Sequence, residues 1–269
     1  MRNQTKKYAR PQSKHFKSNN RYNLICPYLL INISEGTSMS KNTTIDCYDT
    51  HSGEYDEIQF AIIPHYEDVL KMTADACKHY IMKNGRILDL GCGSGNTSLY
   101  VLKDNPSSKM FMMDGSKEMV GRAAEKLKKN GFGSAIEGSK VADFGSDDWD
   151  KGLGGFDAIV STFVLEHLEH DKYKKAIRKC YDLLKPGGII ITMEPGDNEF
   201  GMEEWLKEKI AARVNLNEKY KKLSAEFAKN EKHYFANIND KIQWWKDAGF
   251  KDVHTIWQYL FLYLTVGTK

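Results

Sequence analysis

Apolar and polar positions follow a regular pattern from about residue 66 onward. Over residues 66–82 the apolar positions recur at helical spacing, and the short apolar run 86–90 predicts a buried strand. The alternation then continues, with helices predicted at 96–105, 117–129 and from 171 to about 185, and strands at 109–114, within 134–144, at 156–164 and at 188–194. Several of these strands are apolar throughout, which is typical of a parallel sheet covered by helices on both faces.

Polar residues and glycines mark where some of these elements begin and end. Ser116 and Asp171 are predicted N-caps of the helices at 117–129 and 171–185, and the latter helix is expected to end at Pro186-Gly187-Gly188. Residues 196–247 predict a mostly helical insertion, rich in Lys, Glu and aromatic residues. The apolar pattern of 251–269 predicts two final strands.

The N-terminal 45 residues lack sustained periodicity and are rich in Asn, Ser, Lys and Thr, which predicts a disordered or loosely attached arm. Residues 46–269 then form one domain that carries the helical insertion. The stretch "YNLICPYLLINIS" is similar to the apolar part of a signal peptide, but Pro27 interrupts it and no clear small-residue cleavage site follows. An alternative is that the protein begins at Met39 and that the preceding residues are an upstream extension.

Charge and cysteine content narrow the classes of function. Residues 1–23 hold seven Lys or Arg and no acid, so residues 24–269 carry −4 within a total of +3. This mildly acidic body argues against a large nucleic-acid surface. The five cysteines are irregularly spaced without a CxxC pair, which indicates a reducing compartment, here the cytoplasm, and predicts neither disulfides nor a metal site. The longest strongly apolar stretch, Ile256–Val266, falls well short of the about 20 residues that a membrane span needs.

The most informative motif is "ILDLGCGSGNTS", which places Gly91, Gly93 and Gly95 behind a buried strand and Asp89. A Walker A loop is excluded because Asn96, not Lys, follows the last glycine. A dinucleotide fingerprint is incomplete because Asn96 also stands where its third glycine belongs. Glycine at a strand end implies that something must approach the backbone closely.

This motif resembles the first motif of class I S-adenosylmethionine-dependent methyltransferases of the small-molecule type. Further segments resemble that family in the same order along the chain: "FMMDGSKEM", "VADF", "FDAIVSTFVLEHL", "LLKPGGIIITME" and "WWKDAGF". The resemblance implies an α/β, doubly wound, mostly parallel seven-stranded sheet of the Rossmann-like type, with a C-terminal antiparallel hairpin. It also implies an enzyme that binds S-adenosyl-L-methionine and releases S-adenosyl-L-homocysteine (SAH).

The resemblance assigns roles to individual residues of the loop and the strand ends. Gly91 and Gly93 let the backbone approach the methionine part of the cofactor, and Gly95 allows close packing where the next helix starts. Asp89 helps to hold the ammonium group, and Asp114 accepts hydrogen bonds from the two ribose hydroxyls. The predicted cofactor-binding residues are Tyr55, Asp89, Gly91, Cys92, Gly93, Gly95, Asp114, Gly115, Ser116, Met119, Asp143, Phe144, Thr162 and Phe163.

Two of these roles concern the adenine ring. Asp143 is expected to accept from the exocyclic amine, while the backbone amide of Phe144 contacts a ring nitrogen. Many relatives carry a bulky residue directly after the ribose-binding acid, but here that residue is Gly115. Met119 or Phe144 is expected to cover the adenine face instead.

Methyl transfer is expected to be an in-line displacement at an electrophilic sulfonium carbon. Positioning the nucleophile supplies about 7–11 kcal/mol, whereas a general base adds about 10²–10⁴-fold. A dedicated base is therefore optional. Glu166 and His167 after the fourth strand are the candidates for catalysis, with Glu194 after the fifth, and these side chains are alternatively only part of the pocket wall.

Several acceptor classes are disfavoured by missing motifs. The segment "STFV" replaces the Asn/Asp-Pro-Pro-Tyr/Phe of enzymes that methylate exocyclic amines, and no Pro-Cys nucleophile is present. Cys180 lies on the apolar face of a predicted helix, and Cys92 is expected to serve for its size. A small-molecule acceptor is therefore predicted, with a pocket lined by residues of the insertion: Trp205, Tyr220, Phe227, His233, Tyr234 and Phe235.

Rival functions remain open at this level. The C-terminal pattern broadly resembles relatives that act on cofactor derivatives for the wobble modification of transfer RNA, and the basic arm could contact phosphates. A non-catalytic cofactor-binding module has the same cofactor motifs. A nicotinamide oxidoreductase is a more distant alternative.

Overall fold

The structure is a computed structural model that describes residues 54–81, 83–197, 202–214, 217–223 and 232–269. The predicted N-terminal arm, the signal-like stretch and the alternative start at Met39 lie outside the described residues, as does Phe227. Among the described residues, no helix combines the length and apolar character required to span a membrane.

Helices and strands alternate as the apolar pattern predicts. The helices are α1 (Tyr55–Ile62), α2 (Tyr66–Tyr80), α3 (Asn96–Asp104), α4 (Lys117–Lys129), α5 (His170–Leu183), α6 (Met202–Val214) and α7 (Ile238–Asp247). Residues 218–223 are also helical, and single 3₁₀ turns occupy Gly133–Ala135 and Leu165–His167. The strands are β1 (Arg86–Leu90), β2 (Lys109–Asp114), β3 (Ile136–Val141), β4 (Phe156–Thr162), β5 (Leu184–Pro195), β6 (Lys251–Tyr259) and β7 (Leu262–Thr268).

The strands form one seven-stranded sheet in the order β3-β2-β1-β4-β5-β7-β6. Strands β1 to β5 pair in parallel, and β7 pairs antiparallel with both β5 and β6. The chain moves outward from β1 to β3 and then crosses back to β4 on the other side of β1. This reversal creates a crevice at the carboxyl ends of β1 and β4, where open α/β sheets bind ligands. The predicted fold class is confirmed.

The central strands of the sheet are buried on both faces, as two successive residues of β1 illustrate. Ile87 of β1 belongs to the core cluster that contains Val69 of α2 and Leu102 of α3. Leu88, the next residue, belongs to the opposite cluster, with Tyr173 of α5 and Trp245 of α7. Because successive side chains of a strand point to opposite faces, an all-apolar strand is the direct consequence of two helical layers.

Two boundary predictions are corrected by the structure. Ser116 is the N-cap of α4 as predicted, since its hydroxyl accepts from the amide of Met119 at 3.0 Å. Asp171, in contrast, lies in the first turn of α5, and Glu169 occupies the N-cap position. An acid in the first turn stabilises the helix through its dipole. Asp171 therefore does mark the start of α5, but it lies after the N-cap residue and not at it. The Pro186-Gly187-Gly188 segment lies inside β5, which begins directly after α5.

Candidate active site

The glycine loop connects β1 to α3 at the crevice. Gly91, Gly93 and Gly95 all have positive φ angles, 79°, 48° and 88°, which side chains rarely tolerate. The amides of Gly91 and Cys92 donate to the carbonyl of Met113 at 2.8 and 2.7 Å. The loop is therefore tied to the end of β2, and its turn depends on residues without a Cβ.

The three glycines differ in what surrounds them. A Cβ at Gly91 would lie 2.8 Å from the Cβ of Val164 and closer still to its methyl groups, and one at Gly95 would lie 2.9 Å from the Cα of Ala123. At Gly93 the nearest atom would be Cε1 of Tyr55, at 3.6 Å. Gly91 and Gly95 are thus required by packing inside the protein, whereas Gly93 leaves room beside its backbone.

Asp114, at the end of β2, is oriented by backbone amides. Its Oδ2 accepts from the amide of Gly93 at 2.8 Å and its Oδ1 from the amide of Ser116 at 2.9 Å. Each carboxylate oxygen has a second lone pair. These two amides hold the carboxylate in a defined orientation at the crevice.

Asp89, at the end of β1, is fully buried. Its Oδ2 accepts from the hydroxyl of Ser98 at 2.5 Å, while its Oδ1 has no hydrogen-bond partner among the described residues. Burial and, to a smaller extent, the negative charge of Asp114 raise the pKa of Asp89 to about 7. A buried carboxylate of this kind is stabilised by a cationic ligand group.

Helix α1 covers the glycine loop, although the sequence pattern did not predict it. Asp56 accepts from the hydroxyl of Ser94, from the side-chain amide of Asn96 at 3.1 Å and from the ammonium of Lys126 at 2.5 Å. Tyr55, at the start of α1, lies beside Gly93. The apolar spacing of Ile58 and Ile62, both buried, was the available signal, but eight residues are too few for a clear period.

Of the remaining predicted cofactor residues, Thr162 and Phe163 lie at the carboxyl end of β4, Cys92 in the glycine loop and Met119 in the first turn of α4. The hydroxyl of Thr162 accepts from Thr97 at 3.1 Å, and Phe163 has a positive φ of 57°. Cys92 and Met119 are almost fully buried.

Asp143 and Phe144 follow β3, beyond β2, at the edge of the sheet. Asp143 is exposed, and its Oδ1 accepts from the amide of Gly145 at 2.8 Å, which stabilises its own turn. Phe144 packs edge-on against Trp149, with ring centroids 5.8 Å apart.

A second polar cluster lies after β4 and consists of Glu166, His167 and His233. One potential ligand atom from each residue lies within 4.8 Å of the others. Glu166 is buried, which raises its pKa to about 7. The two histidine rings lie 4.5 Å apart, centroid to centroid. The sequence predicts His233 only as one of several pocket-lining residues, because its position in the chain does not indicate how close it lies to Glu166.

Glu194, the third candidate base, is fully engaged within the protein. It accepts from the hydroxyls of Tyr173 at 2.8 Å and Thr192 at 3.0 Å, and from the ammonium of Lys241 at 2.6 Å. Both Glu194 and Lys241 are buried. We therefore assign Glu194 to the stabilisation of the fold rather than to proton transfer.

The aromatic residues predicted to line one pocket do not share one environment. Trp205 on α6 is 54% exposed, and the hydroxyl of Tyr220 donates to Glu57 on α1 at 3.0 Å. Phe235 is buried, with its ring 5.5 Å from that of His233. The amide of Tyr234 donates to the carbonyl of Glu166 at 2.7 Å. Within the described residues of the insertion, the segment from 232 to 236 contains the contacts with Glu166 and His167.

Comparison with known proteins places these features in a family. Residues 66–255 match the family model described as a methyltransferase domain. The carboxy-S-adenosyl-L-methionine synthase of Nautilia profundicola is 24% identical over 212 residues, which cover 76% of this chain and 86% of that protein. The tRNA N(3)-methylcytidine methyltransferase trm140 of Schizosaccharomyces pombe is 34% identical over 115 residues, which cover 41% of this chain and 36% of that protein.

Solved structures share the fold at low sequence identity. PigF, solved with SAH, superposes with a TM-score of 0.61 at 16% identity, covering 86% of this chain and 63% of that one. An O-methyltransferase family protein from Burkholderia thailandensis gives a TM-score of 0.55 at 16% identity, covering 82% and 58%. The chain thus spans less than two thirds of these structures and of the yeast relative, in contrast to the Nautilia relative.

Proposed function

Because this chain belongs to the family of methyltransferase domains and is an S-adenosylmethionine-dependent enzyme, we propose that its methyl acceptor is a small molecule. One observation carries this proposal: α1 packs on the glycine loop, and α6 in turn packs on α1. Helix α1 lies on the loop, and Leu206 and Ile210 of α6 share a buried cluster with Ile58 of α1. A covered crevice suits a small acceptor better than the surface of a macromolecule.

Polar contacts hold the insertion to α1 as well. The ammonium of Lys219 lies 2.6 Å from Glu57 and the hydroxyl of Tyr220 3.0 Å from the same carboxylate. The mildly acidic charge of residues 24–269 also disfavours a polyanionic acceptor. In this enclosed site the reaction is an in-line displacement, in which alignment of the acceptor is the main contribution, about 7–11 kcal/mol.

The cofactor is proposed to lie along the glycine loop. Gly93 leaves space for the methionine part to approach the backbone, Asp89 pairs with the ammonium group and Asp114 accepts from the ribose hydroxyls. Asp143 and Phe144 flank the adenine end, and Thr162 and Phe163 the methionine end. Glu166 and His167 are assigned to the acceptor side, after β4.

The placement of Asp114 is tested by the substitution Asp114→Ala. Loss of the carboxylate leaves buried hydroxyls of the ligand unpaired, so the affinity for SAH should fall by about 1–3 kcal/mol, as measured by calorimetry. Asp147→Ala, which removes an exposed acid elsewhere, is the matched control. Unchanged affinity in the Asp114 variant would refute the placement.

The acceptor class is tested with a methyl-labelled cofactor. The full chain is incubated separately with a metabolite extract and with total RNA, and the label is followed by mass spectrometry. We expect methylated products of low mass and a stoichiometric yield of SAH. Label found only in RNA would overturn the small-molecule proposal and leave the enzyme class intact.

A second candidate is an acceptor that is itself derived from the cofactor. It is favoured by the similarity to the Nautilia synthase, which extends over 86% of that protein. The same metabolite incubation distinguishes it, because each SAH released would then be matched by a labelled product that itself carries an adenosyl group.

A further inference from the structure

The cluster of Glu166, His167 and His233 has a geometry that cofactor binding does not require. Glu166 and His167 lie on the 3₁₀ turn after β4, and His233 lies on the segment that returns from the insertion. These two segments are fixed to each other by the bond from the amide of Tyr234 to the carbonyl of Glu166, 2.7 Å long. The three side chains are therefore brought together by backbone contacts, not by chance proximity on a surface.

The hydrogen bond of His167 determines which of its nitrogens is available. Its Nδ1 lies 2.9 Å from the carbonyl oxygen of Lys232, which can only accept, so Nδ1 carries the proton and donates. The lone pair of the ring is then on Nε2. Histidines that bind metal ions are usually oriented in this way, with the second nitrogen donating to a carbonyl or carboxylate.

Glu166 presents an oxygen that the described part of the protein does not satisfy. The side chain is 1% exposed, and its Oε2 has no hydrogen-bond partner among the described residues. A buried carboxylate oxygen without a partner is strongly unfavourable. A bound cation would remove that penalty.

The charge balance around the cluster also favours a cation. Lys241 pairs with Glu194, another buried acid, at 2.6 Å, so this lysine does not pair with Glu166. Two imidazole nitrogens and one carboxylate are the ligands of many zinc sites. Hard cations such as Mg²⁺ and Ca²⁺ prefer oxygen ligands only.

We propose that Glu166, His167 and His233 bind a divalent transition-metal ion of the zinc type. The largest separation of the ligand atoms is 4.8 Å. Zinc holds such atoms at about 2.0–2.2 Å, so the side chains must move closer by roughly an ångström on binding. That adjustment is within the reach of side-chain rotation at the end of a loop.

Three protein ligands leave one tetrahedral position open, as in catalytic rather than structural zinc sites. Val164, two residues before Glu166, contacts the position of Gly91 in the cofactor loop, so the ion would lie on the acceptor side of the crevice. An ion at this place would bind an ionisable hydroxyl or thiol of the acceptor and lower its pKa. The inference goes beyond the assignment of a small-molecule acceptor and does not depend on it.

The test uses the untagged full chain, stripped with a chelator and titrated with Co²⁺, whose tetrahedral complexes absorb strongly in the visible range. We expect one Co²⁺ per chain, displaced by Zn²⁺, and paramagnetically shifted proton signals from two histidine rings. Absence of stoichiometric binding, or binding without shifted histidine signals, would overturn the proposal. The Co²⁺ titration therefore tests the proposal on the unmodified protein, before any ligand residue is substituted.

Variants then assign the ligands. Each proposed ligand is removed in turn by the substitutions Glu166→Gln, His167→Asn and His233→Asn. Each substitution should weaken Co²⁺ binding by more than about a hundredfold, because loss of a group that only hydrogen-bonds to a metal ligand already weakens metal binding about 10–100-fold. His170→Asn is the matched control: Nε2 of His170 lies 3.1 Å from the carbonyl of Phe235, on the same returning segment, but His170 is not among the three ligands.

Affinity for SAH, measured on the same samples, reports whether each variant is folded. Weakening that is equal in the control, or absent in all three ligand variants, would contradict the assignment. In the unmodified chain, absence of SAH binding with intact Co²⁺ binding would count against the cofactor placement and not against the metal site.

Discussion

The acids at the two halves of the crevice are held in different ways. At the ends of β1 and β2, Asp114 is oriented by the amides of Gly93 and Ser116, so its partners come from the contiguous stretch 89–116. At the ends of β4 and β5, Glu194 depends on Tyr173 and Lys241, which lie on other helices. For these two acids, the half of the crevice proposed for the cofactor (the cofactor half) uses contacts that are local in sequence, whereas the half proposed for the acceptor (the acceptor half) uses contacts between distant elements.

This comparison has a chemical consequence. A contiguous loop forms the same cradle wherever its glycines and acids recur, so it suits a cofactor common to a whole family. The acceptor half changes whenever the insertion returns along a different path. We therefore expect specificity for the acceptor to reside in long-range contacts.

The largest effect is expected from breaking the long-range ion pair in the acceptor half. Lys241→Met keeps the length of the side chain but leaves the buried carboxylate of Glu194 uncompensated. The free energy of unfolding should fall by about 3–5 kcal/mol in urea denaturation. Lys246→Met, on the exposed face of the same helix, is the control and should change stability little. Equal stabilities would show that Glu194 is not dependent on α7.

A smaller effect is expected from substitutions at Gly91 and Gly93 of the cofactor half, and the two variants should differ in which property they change. Gly91→Ala combines a positive φ, which costs roughly 1–2 kcal/mol, with overlap against Val164, which adds about 1–3 kcal/mol. Gly93→Ala has space around its Cβ, so only the smaller cost applies to folding. We expect thermal unfolding to be affected mainly at Gly91, and affinity for SAH mainly at Gly93. A reversal of this order would contradict the division between packing and ligand approach.

The smallest effect concerns the protonation of Asp89. Since its pKa is raised to about 7 in the folded chain, the carboxyl keeps its proton after the unfolded chain has lost it. Stability contributed by this group therefore decreases as pH rises from roughly 4 to 7. Binding of the ammonium group requires the ionised form, so affinity for SAH should increase about fivefold between about pH 6 and 7.

Calorimetry at several pH values measures this slope. Asp89→Asn should bind SAH more weakly and with a nearly flat profile over the same interval. Measurements are kept below about pH 7.5, because α-amino groups titrate at about 7.7–8.0. An unchanged slope in the variant would show that another group is responsible.

Much of the fold was predictable because clear hydrophobic patterns in the sequence mark its helices and strands. The apolar runs predicted all seven strands of the sheet, and β1 ends at Leu90 as expected from the motif. The start of α5 was predicted at the wrong residue, because Glu169 and Asp171 both satisfy simple rules for a helix start. Helix α1 was missed because its apolar face is only two turns long.

One part of the candidate site was also predictable from the sequence, and another part was not. The residues of the glycine loop and the strand-end acids are near one another in sequence, so their proximity follows from a parallel sheet. The cluster of Glu166 and His233 was not predictable, because its members are far apart in the chain. Its formation depends on the bond between Tyr234 and Glu166, which no local pattern encodes.

The sequence by itself determined the order of helices and strands, the position of the glycine loop and the acids at the strand ends, because hydrophobic period and backbone freedom are local properties. Only the tertiary structure decided that Glu194 forms a buried ion pair with Lys241 and that α1 covers the loop. It also decided that His167 and His233 lie beside Glu166. These outcomes depend on which distant groups remain unsatisfied once the core has packed, and that is a property of the whole chain.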